Sequence, residues 1–230
     1  MARIPVSSLL ELTQGLLERT YGMPRVVADV GRYVIGDHGY RRFYAGVPQV
    51  TVPSSQAGET AARTLVRETD EGLRVCVYYP NALIRSLELH PPQRGLRDDN
   101  VDAFGVLVEE LDHLLCLADR AEAARPVSLF ELELHANVSK HLVLSRFLAG
   151  TRRRIGSHDK AWLRYHLFLK GAFAEREPGL GERYRDAVRW ALRFLDGLER
   201  LAVPARIETL RGFHRAGANG KLQLIGGLAS

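Results

Sequence analysis

Cysteine is scarce in this chain: among 230 residues only Cys76 and Cys116 occur. Two thiols without a Cys-x-x-Cys pair give no disulfide framework, and such sparing use fits a reducing, cytoplasmic setting. Lysine is scarce as well, with 4 Lys against 28 Arg. The arginines are scattered rather than gathered in one block, so the net charge of +5 is not the footprint of a phosphate-binding face, and nucleic acid is not expected as a partner. Long apolar runs are missing too. Charges recur every few positions, and nothing approaches the ~18 apolar residues of a membrane span. Residues 6–17 are interrupted by Glu11 and Gln14 before they could form a signal-peptide core. Gly-rich phosphate loops, a Ser nucleophile elbow and a Cys-His nucleophile signature are also absent. The expectation is a cytoplasmic protein without membrane association, with its partners unknown and a homo-oligomer left open.

What is present is ordinary globular material, 46% hydrophobic and 26% charged, enough for one core. Ser7 or Ser8 can cap a helix reaching about Arg19, with Leu9, Leu10, Leu12, Leu16 and Leu17 on its apolar face. A short helical or extended piece follows over 26–34. Around Gly46 and Pro48 the aromatic and β-branched residues Phe43, Tyr44, Val50, Thr51 and Val52 suggest two short strands joined by a turn. The clearest β element is a hairpin of 64–68 and 73–79, in which Leu73, Val75, Val77 and Tyr79 alternate with Arg74, Cys76 and Tyr78, predicting one buried face. A helix over 81–89 must break at His90-Pro91-Pro92. Beyond it, helices are expected at about 100–122, 127–149, 158–174, 180–200 and 204–215, punctuated by Pro126, Gly150, Gly156, Pro178, Gly179 and Pro204. The fold class is therefore α+β and mostly helical, a small antiparallel β portion packed on a C-terminal helical bundle. One domain is expected over 1–230: an N-terminal helix plus β portion at 1–98, the bundle at 99–216, and a flexible Gly-rich tail at 217–230.

The concentrated chemical signal is a pair of Glu-x-x-x-His segments, Glu109 with His113 and Glu131 with His135. Residues four apart on a helix point the same way, so each pair offers two ligand atoms to one point in space. His113 and His135 both stand eleven residues from Ala124, which places them at one height if the two helices form an antiparallel hairpin. Two imidazoles with two carboxylates suit zinc or another divalent transition metal. The second helix reads as apolar nearly all round, so its Glu131, His135 and His141 need partners. On the first helix the main stripe is Val101, Phe104, Leu107, Val108, Leu111, Leu114, Leu115 and Ala118, with Glu109 and His113 opposite. If the lesser face meets the second helix, the four residues converge; if the stripe does, they do not.

The stretch Val106-Leu107-Val108-Glu109-Glu110-Leu111-Asp112-His113-Leu114-Leu115 resembles the His-Glu-x-x-His helix of gluzincin-type zinc metallopeptidases, with Glu109 in place of the first His. The resemblance implies His113 and Glu131 as metal ligands and Glu110 as the general base that activates a metal-bound water. It also implies that a sheet such as the 64–79 hairpin lines the cleft.

His141 and His166 are further candidate ligands. His38, His90, His158 and His214 fall in expected loops or exposed helix and carry no pattern. Cys116, one turn from His113, reads as packing, and Arg152, Arg153 and Arg154 as cations favoured at a helix C-terminus. Two functions stay open: a metal-dependent hydrolase using Glu109, His113, Glu131 and His135 with Glu110 as base, or a non-catalytic helical interaction protein in which the same residues form a buried polar network. Nucleic-acid binding, the third class, would show as steep salt dependence.

Overall fold

A computed structural model describes residues 5–44, 50–52, 61–70, 72–150, 155–170 and 178–229. The described helices are α1 (Val6–Tyr21), α2 (Asp37–Phe43), α3 (Asn81–Leu89), α4 (Val101–Glu122), α5 (Leu129–Ala149), α6 (Ser157–Arg164), α7 (Pro178–Arg200), α8 (Val203–Arg215) and α9 (Ala218–Ala229). The strands are β1 (Val34–Ile35), β2 (Val50–Val52), β3 (Arg63–Thr69) and β4 (Gly72–Tyr78). They form one sheet in the order β1-β4-β3-β2. This is the mostly helical α+β architecture that the sequence implies. No described helix is long and apolar enough to cross a membrane.

The hairpin of β3 and β4 pairs antiparallel from Arg63 opposite Tyr78 to Thr69 opposite Gly72, and β2 adds antiparallel to β3. The sheet is nevertheless mixed, because β1 pairs parallel to β4. Nor does β4 have a single buried face: Leu73 near the turn is exposed, while Cys76, Val77 and Tyr78 are all buried. The cause is α2. Phe43, expected on a strand, ends this helix, and Tyr40 of α2 stacks on Tyr78 at 4.5 Å. Leu65, Cys76 and Tyr78 thereby form a small second core on that face, while Val77 and Tyr79 join the main core on the other. The turn expected at Gly46 and Pro48 and the run Arg152 to Arg154 lie outside the described residues.

Helix α1 begins one residue ahead of its expected serine caps, at Val6 after Pro5, and ends at Gly22 in the left-handed conformation (φ 65°), whose N–H closes on the Glu18 carbonyl. Its buried face, Leu9, Leu10, Leu17 and Tyr21, belongs to the main core. Helices α4 and α5 run through that core. Ser128 caps α5 by accepting from the Glu131 N–H at 3.1 Å. Every residue of α5 from Glu131 to His141 is buried, as its all-round apolar pattern predicts, since α4, α7, α6 and α1 surround it. Helix α6 passes into a π-helical turn at Tyr165–Leu169, where α-helix is expected; the last residues of that expected helix, 171–174, lie outside the described residues. The expected flexible tail is instead largely the helix α9, which packs on α7 with Gly197 facing Leu228. A methyl group at Gly197 would lie 2.7 Å from the Leu228 Cβ, so the close approach of the two helices requires glycine there.

Candidate functional site

Helices α4 and α5 pair antiparallel, and polar residues on their facing sides meet level by level: Glu109 with Lys140, Asp112 and Cys116 with His135, Arg120 with Glu131. This is the register anticipated from the equal spacing of His113 and His135 about Ala124. The polar face of α4, opposite its main stripe, is the one that meets α5. The polar residues divide along the interface into two groups.

The first group contains Glu109, His113 and Glu133, whose donor atoms lie within 4.8 Å of one another. Lys140 Nζ sits 2.6 Å from Glu109 Oε2. Burial pulls the Lys140 pKa down, but the Glu109 carboxylate outweighs it and holds the ammonium above its ordinary value. His113 is fully buried, and that burial pushes its pKa down, so the ring is neutral. Neither ring nitrogen has a hydrogen-bond partner; Nε2 is 3.9 Å from Glu133 Oε1. Beside the group, Glu110 Oε2 accepts from Thr64 Oγ1 of β3 at 2.8 Å, and the Tyr79 hydroxyl donates to the Leu107 carbonyl at 2.7 Å. These bonds seat the sheet on α4.

The second group centres on His135, with Cys116 and His214 as its neighbours; donor atoms of these three also lie within 4.8 Å of one another. His135 Nδ1 lies 3.0 and 2.9 Å from the two Asp112 oxygens and 3.3 Å from Cys116 Sγ. Its Nε2 faces His214 Nδ1 at 3.1 Å, and His214 Nε2 lies 3.3 Å from Asp119 Oδ2. Burial would raise the Asp112 carboxyl, but His135 beside it outweighs that effect and keeps it below the usual range. Burial, and then His135, push His214 down to about 3, leaving it neutral. Burial and the Asp112 charge lift the Cys116 thiol well above its ordinary value. The Tyr21 ring lies 4.4 Å from the His135 ring, and its hydroxyl shares a 2.7 Å hydrogen bond with Ser139 Oγ. Next to these residues Glu131 accepts from Arg120 and Lys221 at 2.5 and 3.2 Å.

The four residues read from the sequence therefore do not share one point. Glu109 and His113 stay together and gain Glu133; His135 joins Cys116 and His214; Glu131 is held by two cations. The reason is angular. Glu131 and Glu133, two positions apart, leave opposite sides of a helix, and on a helix buried all round both find partners. His141 packs against Phe168, with ring centroids 6.2 Å apart, and His166 pairs at the surface with Asp98 and Asp102; neither joins a donor group.

Sequence reasoning missed His214, expected to be exposed and in fact buried on α8, and passed over Cys116, Glu133, Lys140 and Lys221. One signal was available: of only four lysines, Lys140 and Lys221 occur within apolar helix, and both are buried, a rare fate for lysine without a partner.

Fold and donor groups together define a mostly helical α+β protein whose buried His, Cys and Glu side chains can hold a metal ion. Comparison with protein-family models, curated proteins and solved structures gives no match.

Proposed function

We propose that the protein is a non-hydrolytic helical protein in which the group laid out like a metallohydrolase centre is closed by an internal cation. Glu109, His113 and Glu133 form a donor set of the kind a divalent ion accepts. The observation that carries the reading is the Lys140 ammonium, buried and 2.6 Å from Glu109 Oε2. It supplies the positive charge that the buried carboxylate requires. A metal could enter only if Lys140 moved away or gave up a proton that Glu109 holds in place. Access argues the same way: Glu109, Glu110 and His113 have 0% exposure, so a substrate cannot reach Glu110, the base that the gluzincin resemblance implies. The α4–α5 pair then serves as a rigid frame for a protein that acts by interaction.

The test is Lys140→Met, titrated with Zn2+ or Mn2+ by calorimetry and thermal shift. The expected result is no uptake at this centre in the wild type and one equivalent more for the variant than for the wild type, the added equivalent being abolished by Glu133→Gln. If Lys140→Met unfolds, refolding on addition of metal reports the same uptake by circular dichroism. Failure of the variant to bind metal in either form overturns the reading.

A second reading, an active metal-dependent hydrolase with Glu110 as base, is favoured by one observation: both His113 nitrogens lack hydrogen-bond partners. It requires that His113→Ala cost the wild-type protein one equivalent of metal and its hydrolytic activity.

A further inference from the structure

A different set of residues, Cys116, His135 and His214, has a property that the Glu109 group lacks: each imidazole has a carboxylate beside its outer nitrogen. Asp112 accepts from His135 Nδ1, and Asp119 lies 3.3 Å from His214 Nε2. With the protons on those outer nitrogens, the tautomer that the two carboxylates favour, His135 Nε2 and His214 Nδ1 turn their lone pairs towards each other at 3.1 Å. Two acceptors at that distance repel unless a positive species serves both. Tetrahedral zinc, with Zn–N of about 2.0–2.1 Å, holds its nitrogens about 3.3 Å apart. A carboxylate behind each ligating imidazole is the arrangement that fixes the tautomer and raises the basicity of the metal-facing nitrogen.

Two further observations point the same way. A void of about 10 Å3 adjoins Cys116, His135, His214, Glu131, Arg120 and Lys221, room for about one water-sized particle. The nearby cations are already engaged: Arg120 with Glu131 and the carbonyls of His214 and Ala216, Lys221 with Glu131 and Ala216. Of the three buried carboxylates, Asp112, Asp119 and Glu131, only Glu131 is bonded to these two cations; Asp112 lies on His135 and Asp119 on His214, while Arg125, also on Asp119, lies at the exposed rim. A Cys116 thiolate and a divalent ion together would leave that buried set neutral.

We propose that Cys116, His135 and His214 form a binding site for a thiophilic divalent ion, zinc foremost, which fastens α8 to the α4–α5 pair. On binding, the Cys116 thiol, which lies 3.3 Å from His135 Nδ1, turns towards the inner side of the ring, gives its proton to solvent and forms the Cys116–metal bond, while the two imidazoles coordinate through the lone pairs of their inner nitrogens. A thiolate with two imidazoles selects zinc or cobalt over magnesium or calcium. The site goes beyond the closed centre proposed above and shares no ligand with it.

Cobalt titration of untagged full-length protein tests it. The expected result is one equivalent of Co2+ with a thiolate-to-cobalt charge-transfer band, displaced by Zn2+. Cys116→Ala should abolish the band, and His214→Ala should abolish stoichiometric binding. Asp119→Asn, which leaves all three ligands in place, should keep the band while weakening affinity by about 10- to 100-fold. Lys140→Met should leave the band unchanged, so that the failure of either proposal is read separately. Absence of Co2+ and Zn2+ binding by the wild type, or a band that survives Cys116→Ala, overturns the proposal; in that case a proton bridges the two imidazoles.

Discussion

The two buried groups draw on the same α4–α5 pair in the same register, the second adding His214 of α8, yet they differ in where their positive charge sits. In the Glu109 group a lysine ammonium stands among the ligand atoms, bonded to the carboxylate that a metal would need. In the His135 group the cations are turned to Glu131 and to the carbonyls of the α8–α9 connection, and the imidazole nitrogens face each other. Residue type alone does not make a metal site; the placement of the nearest cation decides whether the donors are free to take an ion.

The largest effect should come from breaking the internal pair of the first group. Lys140→Met leaves Glu109 buried without its ammonium and should cost about 3–5 kcal/mol in urea unfolding. Lys140→Met with Glu109→Gln should recover most of the loss. A single substitution that costs under about 1 kcal/mol would erase the contrast between the groups.

Next, Glu131→Gln strands Arg120 and Lys221 beside the second group. A loss of about 3 kcal/mol is expected, with faster amide exchange at the end of α8 and the start of α9, because these cations hold the carbonyls of His214 and Ala216 between them. Exchange that stays unchanged there would mean that Glu131, Arg120 and Lys221 do not anchor the C-terminal helices.

His141 offers a second imidazole on α5, without a carboxylate behind it. Burial, with Arg164 adding to it, depresses its pKa from 6.5 to about 4, and neither ring nitrogen has a hydrogen-bond partner. The unfolded chain takes up this proton below 6.5 while the folded one resists until about 4. The contribution is therefore fully present above 6.5 and is lost as pH falls through that window, on the order of 3 kcal/mol. His141→Phe should flatten the acid limb of stability between those values; an identical limb in the variant would refute the assignment.

The smallest effect belongs to the surface pair of Lys170 and Asp102, both more than 40% exposed. Lys170→Ala should cost under about 1 kcal/mol and less in high salt. A larger loss would blur the distinction between buried and exposed charge on which the comparison rests.

Much of the architecture was legible in the chain. Alternation over 73–79 and the intervening turn marked the β3–β4 hairpin, the prolines after His90 marked the end of α3, and the equal spacing about Ala124 gave the register of α4 against α5. The shortfalls have physical causes. Residues 218–229 read as a loose tail because glycine lowers helix propensity, but Gly197 of α7 lets α9 pack closely enough to hold that segment helical. Phe43 read as strand because aromatic composition cannot distinguish a strand from a short helix laid on a sheet.

The site divides in the same way. The 3.6-residue period by itself determined that Glu109 pairs with His113 and that α5 is buried all round, because these are properties of one helix. Tertiary structure alone decided that Lys140 would occupy the first group and that His214, seventy-nine residues beyond His135, would complete the second. A side chain's partner across an interface depends on helix rotation and on which distant helix docks there, and neither is encoded in local spacing.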